Sequence, residues 1–192
     1  MVLKPREQYR QEKEKLEKEP IREEVDVHYA WSVTVFLIIY MGALFFPGIM
    51  FMSYVLYLFV PLVLDVNDFF ILFTGLHLIT LLSFPLVLIA CYLTRLFFIA
   101  VLTRIFWRYT EKKMPTKNGI IPRNFRSKTL EYYHKRSFLI KYPKNAFMKG
   151  IFPWLINWLY NFVGTNKVGK GATIEEQFGA DKFVDIGKNS YL

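Results

Sequence analysis

Residues 29–64 form 36 consecutive positions without a formal charge, and residues 69–92 form another 24. About 20 apolar residues suffice to cross the hydrocarbon core of a bilayer, so both runs predict membrane-spanning helices. A single helix over the first run would be about 54 Å long at 1.5 Å per residue, well beyond a core of about 30 Å. Pro47-Gly48 is the place to bend or turn, and Pro61 can end the second half of the run. The run therefore reads either as one long kinked span or as two pieces, 29–46 and 49–64, meeting at a tight turn. Asp65-Val66-Asn67-Asp68 is a polar break whose Asn and Asp suit a turn and an N-cap before Phe69. Pro85 predicts a kink in the second run.

Beyond Tyr92 the apolar pattern continues through 93–109, now with Arg95, Arg104 and Arg108 among Leu, Phe, Ile and Trp. This piece reads as a helix leaving the membrane and running along its surface. Arg104 and Arg108 are four apart and share a face. Arg95 falls about 180° from Arg104 on a helical wheel, so the three form no clean stripe. Residues 111–123 are loop-like. Residues 126–142 mix Tyr132, Tyr133, Phe138 and Leu139 with Lys128, Lys135, Arg136 and Lys141. The stretch 151–160, rich in Trp and Tyr, is too short to span and suits a helix in the headgroup zone. Ahead of the first run, residues 5–24 alternate charge with almost no apolar residue and read as a solvated helix or tail, broken by Pro20.

Composition agrees with lipid as the main solvent: 53% of the 192 residues are hydrophobic and 19 are Phe, above ordinary globular usage. Residues 1–27 are too charged and too long for a signal-peptide n-region. The lone cysteine, Cys91, lies in an apolar run and can form no intramolecular disulfide. The net charge of +9 is unevenly placed: residues 93–152 hold 14 basic and 2 acidic groups, while 28–92 hold no Lys or Arg. The positive-inside rule then puts both termini in the cytosol and the 65–68 loop outside, with two spans preferred.

The basic block carries three readings. Attraction to anionic lipid headgroups is the plainest. A site for a phosphate-bearing donor or lipid substrate comes second, with Arg95, Arg104, Arg108, Arg123, Arg126, Lys135 and Arg136 as its candidate contacts. Nucleic acid is least favoured, since no recognised module surrounds the charge. His77, near the middle of the second run, is an intramembrane polar candidate, equally readable as a residue bonded to a neighbouring helix. His134, near Glu131, is conceivable as a general base. There is no phosphate-cradling glycine loop, no Ser-His-Asp set and no His/Cys cluster with metal-ligand spacing, so no metal and no cofactor is expected from the residues.

The C-terminal residues keep a different period. Val168, Ile174, Ala180, Ile186 and Leu192 sit six apart, and two hexads nearly repeat: Val168-Gly169-Lys170-Gly171-Ala172-Thr173 and Ile186-Gly187-Lys188-Asn189-Ser190-Tyr191. Each has an aliphatic, a Gly, two polar places and a small fifth residue, Ala172 or Ser190. The copies are 18 residues apart, three hexads, which in a triangular β-helix is one coil with the aliphatic positions stacked inward. The fifth, small place is expected to turn the corner. The middle hexads depart, with Glu175 where Gly is usual and Phe178 at the small place. One coil cannot bury its own face, since about three repeats are needed.

These hexads resemble the hexapeptide-repeat, left-handed β-helix acyltransferases. The order of spans, Arg-rich exit helix, basic aromatic segment, short amphipathic piece and Gly-x-Gly start is similar to membrane-anchored members, including the C-terminal module of poly-lysine-type nonribosomal peptide synthetases. The resemblance implies acyl or aminoacyl transfer from an acyl-CoA-type thioester and a homotrimer or a partner subunit capping the coil. Family members place a catalytic His on a later coil; no His follows His134, so none is carried over. The fold class expected is a mainly α membrane protein, a helical hairpin (28–109) with interfacial helices (110–165), then the first coil of a left-handed β-helix (166–192). The function expected is the anchor and N-terminal part of such an acyltransferase. The alternatives are a non-catalytic membrane subunit scaffolding a larger complex, or a small transporter or channel component using His77 and the 65–68 loop.

Overall fold

The computed structural model of the chain describes residues 29–116, 128–174 and 183–191. Its frame is helical. Helix α1 spans Tyr29–Tyr54 and passes without a break into a π-helical segment, Val55–Leu64. A short 3-10 helix, Phe69–Phe73, precedes α2, Gly75–Lys113. Helix α3 is Lys128–Met148 and α4 is Leu155–Val163. Two short strands come last, β1 at Lys167–Val168 and β2 at Asp185–Ile186.

Two of these helices, Tyr29–Leu64 and Gly75–Lys113, are long and apolar enough to cross a membrane. Only 22% of the most apolar window of either is buried within the chain, unlike the core helix of a soluble protein. The outward side chains include Phe45, Ile49, Leu56, Phe70, Ile79, Leu82 and Leu86.

Of the two readings of the first run, the structure shows the single long span, Tyr29–Leu64, and not two pieces meeting at a turn. No turn forms at Pro47-Gly48, because Pro47 lies inside α1, buried, with its carbonyl accepting the Cys91 thiol at 3.6 Å. Pro61 does not end the run either. It sits within the π-helical segment, whose wider turn shifts the hydrogen-bond partners by one residue, as in Asp65 N–H to the Val60 carbonyl at 3.0 Å. Pro85 likewise lies within an unbroken α2. Asp68 does cap, accepting the Phe70 N–H at 3.0 Å, but what it caps is the 3-10 turn rather than the long helix.

A single core joins the far ends of the hairpin to the later helices. Val35, Ile39 and Ala43 of α1 meet Leu96, Ile99, Ala100 and Trp107 of α2, Leu139, Ile140 and Phe147 of α3, and Ile156, Leu159, Tyr160 and Val163 of α4. The α2 positions 96, 99, 100, 103, 107 and 110 form one buried stripe at helical spacing. Residues 93–109 are therefore not a separate surface helix. They are part of α2 itself, and one face of them is core. Thr103 and Thr110 sit in this stripe and return their hydroxyls to the carbonyls of Ile99 and Trp107, both at 2.7 Å, so neither brings an unmet polar group into the core.

Helix α4 has two apolar sides with different destinations. Ile156, Leu159, Tyr160 and Val163 recur at i, i+3, i+4 and i+7 and face the core. Trp154 and Trp158 remain exposed. Gly164, at φ +86°, ends the helix in the left-handed conformation, its N–H bonded to the Tyr160 carbonyl at 2.9 Å.

Candidate functional site

The 18-residue spacing reappears as hydrogen bonding. Strands β1 and β2 run parallel, pairing Lys167 with Asp185 and Val168 with Ile186. A parallel bridge joins Thr173 to Tyr191 at the same offset. Backbone bonds join the two rows on both sides of the turn between strand pair and bridge: Lys167 N–H to the Val184 carbonyl at 3.1 Å, Gly169 N–H to Ile186 at 2.9 Å and Thr173 N–H to Ser190 at 2.8 Å, with Asn189 N–H returning to Lys170 at 3.1 Å. Residues 175–182 and Leu192 lie outside the described residues, and with them Ala180 and the departing places Glu175 and Phe178.

Each hexad position has a physical duty in this pairing. Ile186 is buried, and Val168 and Ile174 pack on the main core. A Cβ on Gly169 would lie 2.7 Å from both the carbonyl carbon of Gly187 and the nitrogen of Lys188, so only glycine lets the rows approach. The left-handed residues are at the fourth place, Gly171 at φ +78° and Asn189 at φ +57°, again 18 apart. The backbone thus turns there, one residue before the small Ala172 and Ser190 to which the sequence assigns the corner. Ala172 is instead a buried filler.

The ladder is seated on α4 by two asparagines, and a third, Asn166, joins its two rows. Asn161, on α4, pairs its amide with both backbone groups of Val168: Nδ2 donates to the carbonyl at 3.0 Å, and Oδ1 accepts the N–H at 2.8 Å. One turn earlier, Asn157 Nδ2 donates to the Ala172 carbonyl at 2.5 Å. Asn166 Oδ1 accepts the Val184 N–H at 3.1 Å. On the second row, Phe183 meets the Trp107 ring of α2 at 5.8 Å between centroids. An open cavity of about 510 Å³ lies between α4 and the first row, lined by Met148, Pro153, Trp154, Ile156, Asn157 and Ile174 among others.

The basic residues are not brought together. Arg95 reaches α3, where Nη2 donates to the Tyr142 hydroxyl at 3.4 Å. Arg104, half a turn of the wheel away, lies over the Phe162 ring of α4 at 4.4 Å. Arg108 is exposed. Lys135 pairs with Glu131 at 2.5 Å and lies over the rings of Tyr132 and Trp31 at 4.9 and 5.6 Å. Arg123 and Arg126 lie outside the described residues.

Arg136 has a different setting from a headgroup contact. It is 3% exposed. Its guanidinium donates to the Thr110 carbonyl at 2.9 Å, to the Thr110 hydroxyl at 3.3 Å and to the Met114 carbonyl, with Glu111 at 3.5 Å. The Thr110 carbonyl also accepts the Met114 N–H at 3.0 Å, so Arg136 adds a second donor at the last turn of α2 and closes that helix against α3. Burial lowers the guanidinium from its ordinary range, while Glu111 and Tyr132 act in the opposite sense.

His77 Nδ1 lies 2.7 Å from the Leu62 carbonyl, on the last turn of the π-helical segment. A carbonyl only accepts, so this nitrogen carries the proton and the imidazole ties the two arms of the hairpin. Among the described residues no cluster of three or more His, Cys, Asp or Glu could hold a metal ion. Asn157 and Asn161 were missed by sequence reasoning. Their signal is a pair of amides four apart on an otherwise apolar helix. Comparison with protein-family models, curated proteins and solved structures finds no match to this chain.

Proposed function

We propose that this chain is the membrane anchor and N-terminal part of a hexapeptide-repeat acyltransferase, with the rows 165–173 and 183–191 belonging to the first turns of a β-helix. The observation that carries the reading is the parallel pairing at an offset of 18 residues, three hexads, with glycine at the point of closest approach. Two long, outwardly apolar helices supply the anchor. Exposed Trp154 and Trp158 suit the headgroup depth, beside the basic end of α2. Both termini then face the cytosol, a reading supported by the absence of Lys and Arg from 65–68 and their abundance in 93–152.

In the reaction the resemblance implies, an acceptor amine or hydroxyl adds to the thioester carbonyl. The C–S bond breaks, and the departing thiolate takes up the proton lost by the acceptor. The test uses the protein purified from its source membrane, offered acetyl- to palmitoyl-CoA with a total lipid extract as acceptor. Thiol release is monitored with a chromogenic disulfide. Release that depends on both donor and acceptor supports the transferase. No release with any donor, from a protein whose intact mass is close to the 22.8 kDa of this chain, favours the non-catalytic scaffold instead.

A further inference from the structure

Arg95 stands 20 residues beyond Gly75 on α2 and is the first cation on that helix. At 1.5 Å per residue it lies about 30 Å from the helix start, the thickness of a bilayer's hydrocarbon core. That is the depth at which lipid phosphates begin. Unlike Arg136, this guanidinium has no carboxylate within ion-pair distance among the described residues. Its Nε is buried without a hydrogen-bond partner, and its Nη2 makes only the 3.4 Å contact to the Tyr142 hydroxyl.

An unpaired, partly desolvated charge is expensive, and a nearby anion removes the expense. Tyr142 accepts from Arg95 and keeps its own O–H to donate. The phenol ring is held edge-on by Phe36 at 5.0 Å and Tyr40 at 6.1 Å, so the hydroxyl is fixed where α1, α2 and α3 meet. Donors converge there without an acceptor. A planar guanidinium beside a phenol O–H matches the oxygens of a phosphate.

We propose that Arg95 and Tyr142 form a phosphate-ester site at the cytosolic end of the hairpin, filled by a phospholipid headgroup or by a soluble phosphate ester. The site rests on the membrane reading for its depth but is independent of acyl transfer, so an inactive protein can still carry it.

The test is native mass spectrometry of the detergent-solubilised protein titrated with phosphatidylglycerol. One saturable site is expected. Arg95→Gln should weaken it about tenfold or more, since two charge-assisted bonds are lost. Tyr142→Phe should weaken it several-fold, and Arg95→Lys, which keeps charge but loses the fork, should fall between. Lys141→Gln, an exposed cation beside Tyr142, should change affinity less than about twofold. Inorganic phosphate that displaces the lipid assigns the site to a soluble ester; phosphate that does not compete assigns it to the headgroup. The proposal is overturned if dioleoylglycerol, which has no phosphate, binds as well as phosphatidylglycerol. Equal losses in Arg95→Gln and Lys141→Gln overturn it too. Should Arg95→Gln not fold, Tyr142→Phe decides, and unchanged affinity there is a negative result.

Discussion

At Gly169 the two atoms that a Cβ would meet, at 2.7 Å, both belong to backbone, so neither can swing aside as a flexible side chain would. Gly169→Ala must push the rows apart, and overpacking of this kind costs about 1–3 kcal/mol. Gly48 is the internal contrast, since nothing lies within 4 Å of its Cβ position and it sits in a helix. Gly48→Ala should be neutral or gain about 0.5–1 kcal/mol. Thermal unfolding in detergent, monitored by circular dichroism, separates the two, and an unchanged midpoint in Gly169→Ala would mean that the rows do not touch there. The glycine was legible in the sequence because a hexad repeats its chemistry. The corner at Gly171 and Asn189 was less so: polar and small residues both suit a turn, and only φ distinguishes which one takes it. Asn161 was opaque for another reason. A composition pattern marks which residues are apolar, not which backbone group an amide will reach.

Among the elements, the long helices were readable from apolar length, whereas the sequence left open whether the first run passes Pro47 and Pro61 as one span or turns between two. In water a proline's lost hydrogen bond is readily replaced by solvent, so it often ends a helix. In an apolar setting the backbone has no such alternative, and the helix persists with local adjustment, here the π-helical segment around Pro61. His77 belongs to that adjustment. Its proton satisfies a carbonyl at the end of the segment, where the helix itself provides no donor. His77→Phe should lose about 1 kcal/mol, and His77→Gln, which retains a donor, should recover most of it. Their unfolding midpoints in detergent give the comparison. Equal midpoints would remove the structural role and point His77 back toward ion passage.

For the whole molecule, the apolar hairpin and the basic end divide the chain into two solvents. The buried core sits at the basic end, joined to α3, α4 and the ladder, while the opposite end shows Phe69, Phe70 and Phe73 outward. This division was visible in the charge pattern. How α3 and α4 brace α2 was not, because their buried faces read only as mixed polar and aromatic sequence. If both termini are cytosolic, Val66 faces outside. A Val66→Cys protein made in a Cys91→Ala background should react with a membrane-impermeant maleimide in intact cells, without lysis. Labelling only after lysis would invert the topology or place the loop within the bilayer.

The amide of Asn161 occupies the edge of β1 that faces away from β2, meeting both the N–H and the carbonyl of Val168. A side chain there imitates a neighbouring strand and then stops, because an amide has no next residue to offer. Extension of the ladder is thereby given a polarity: blocked toward the helices, open beyond Asp185 and Ile186. Among the described residues the open edge of the ladder is the far side of β2, so a strand that pairs with it, from whatever source, meets that edge and not the one beside α4.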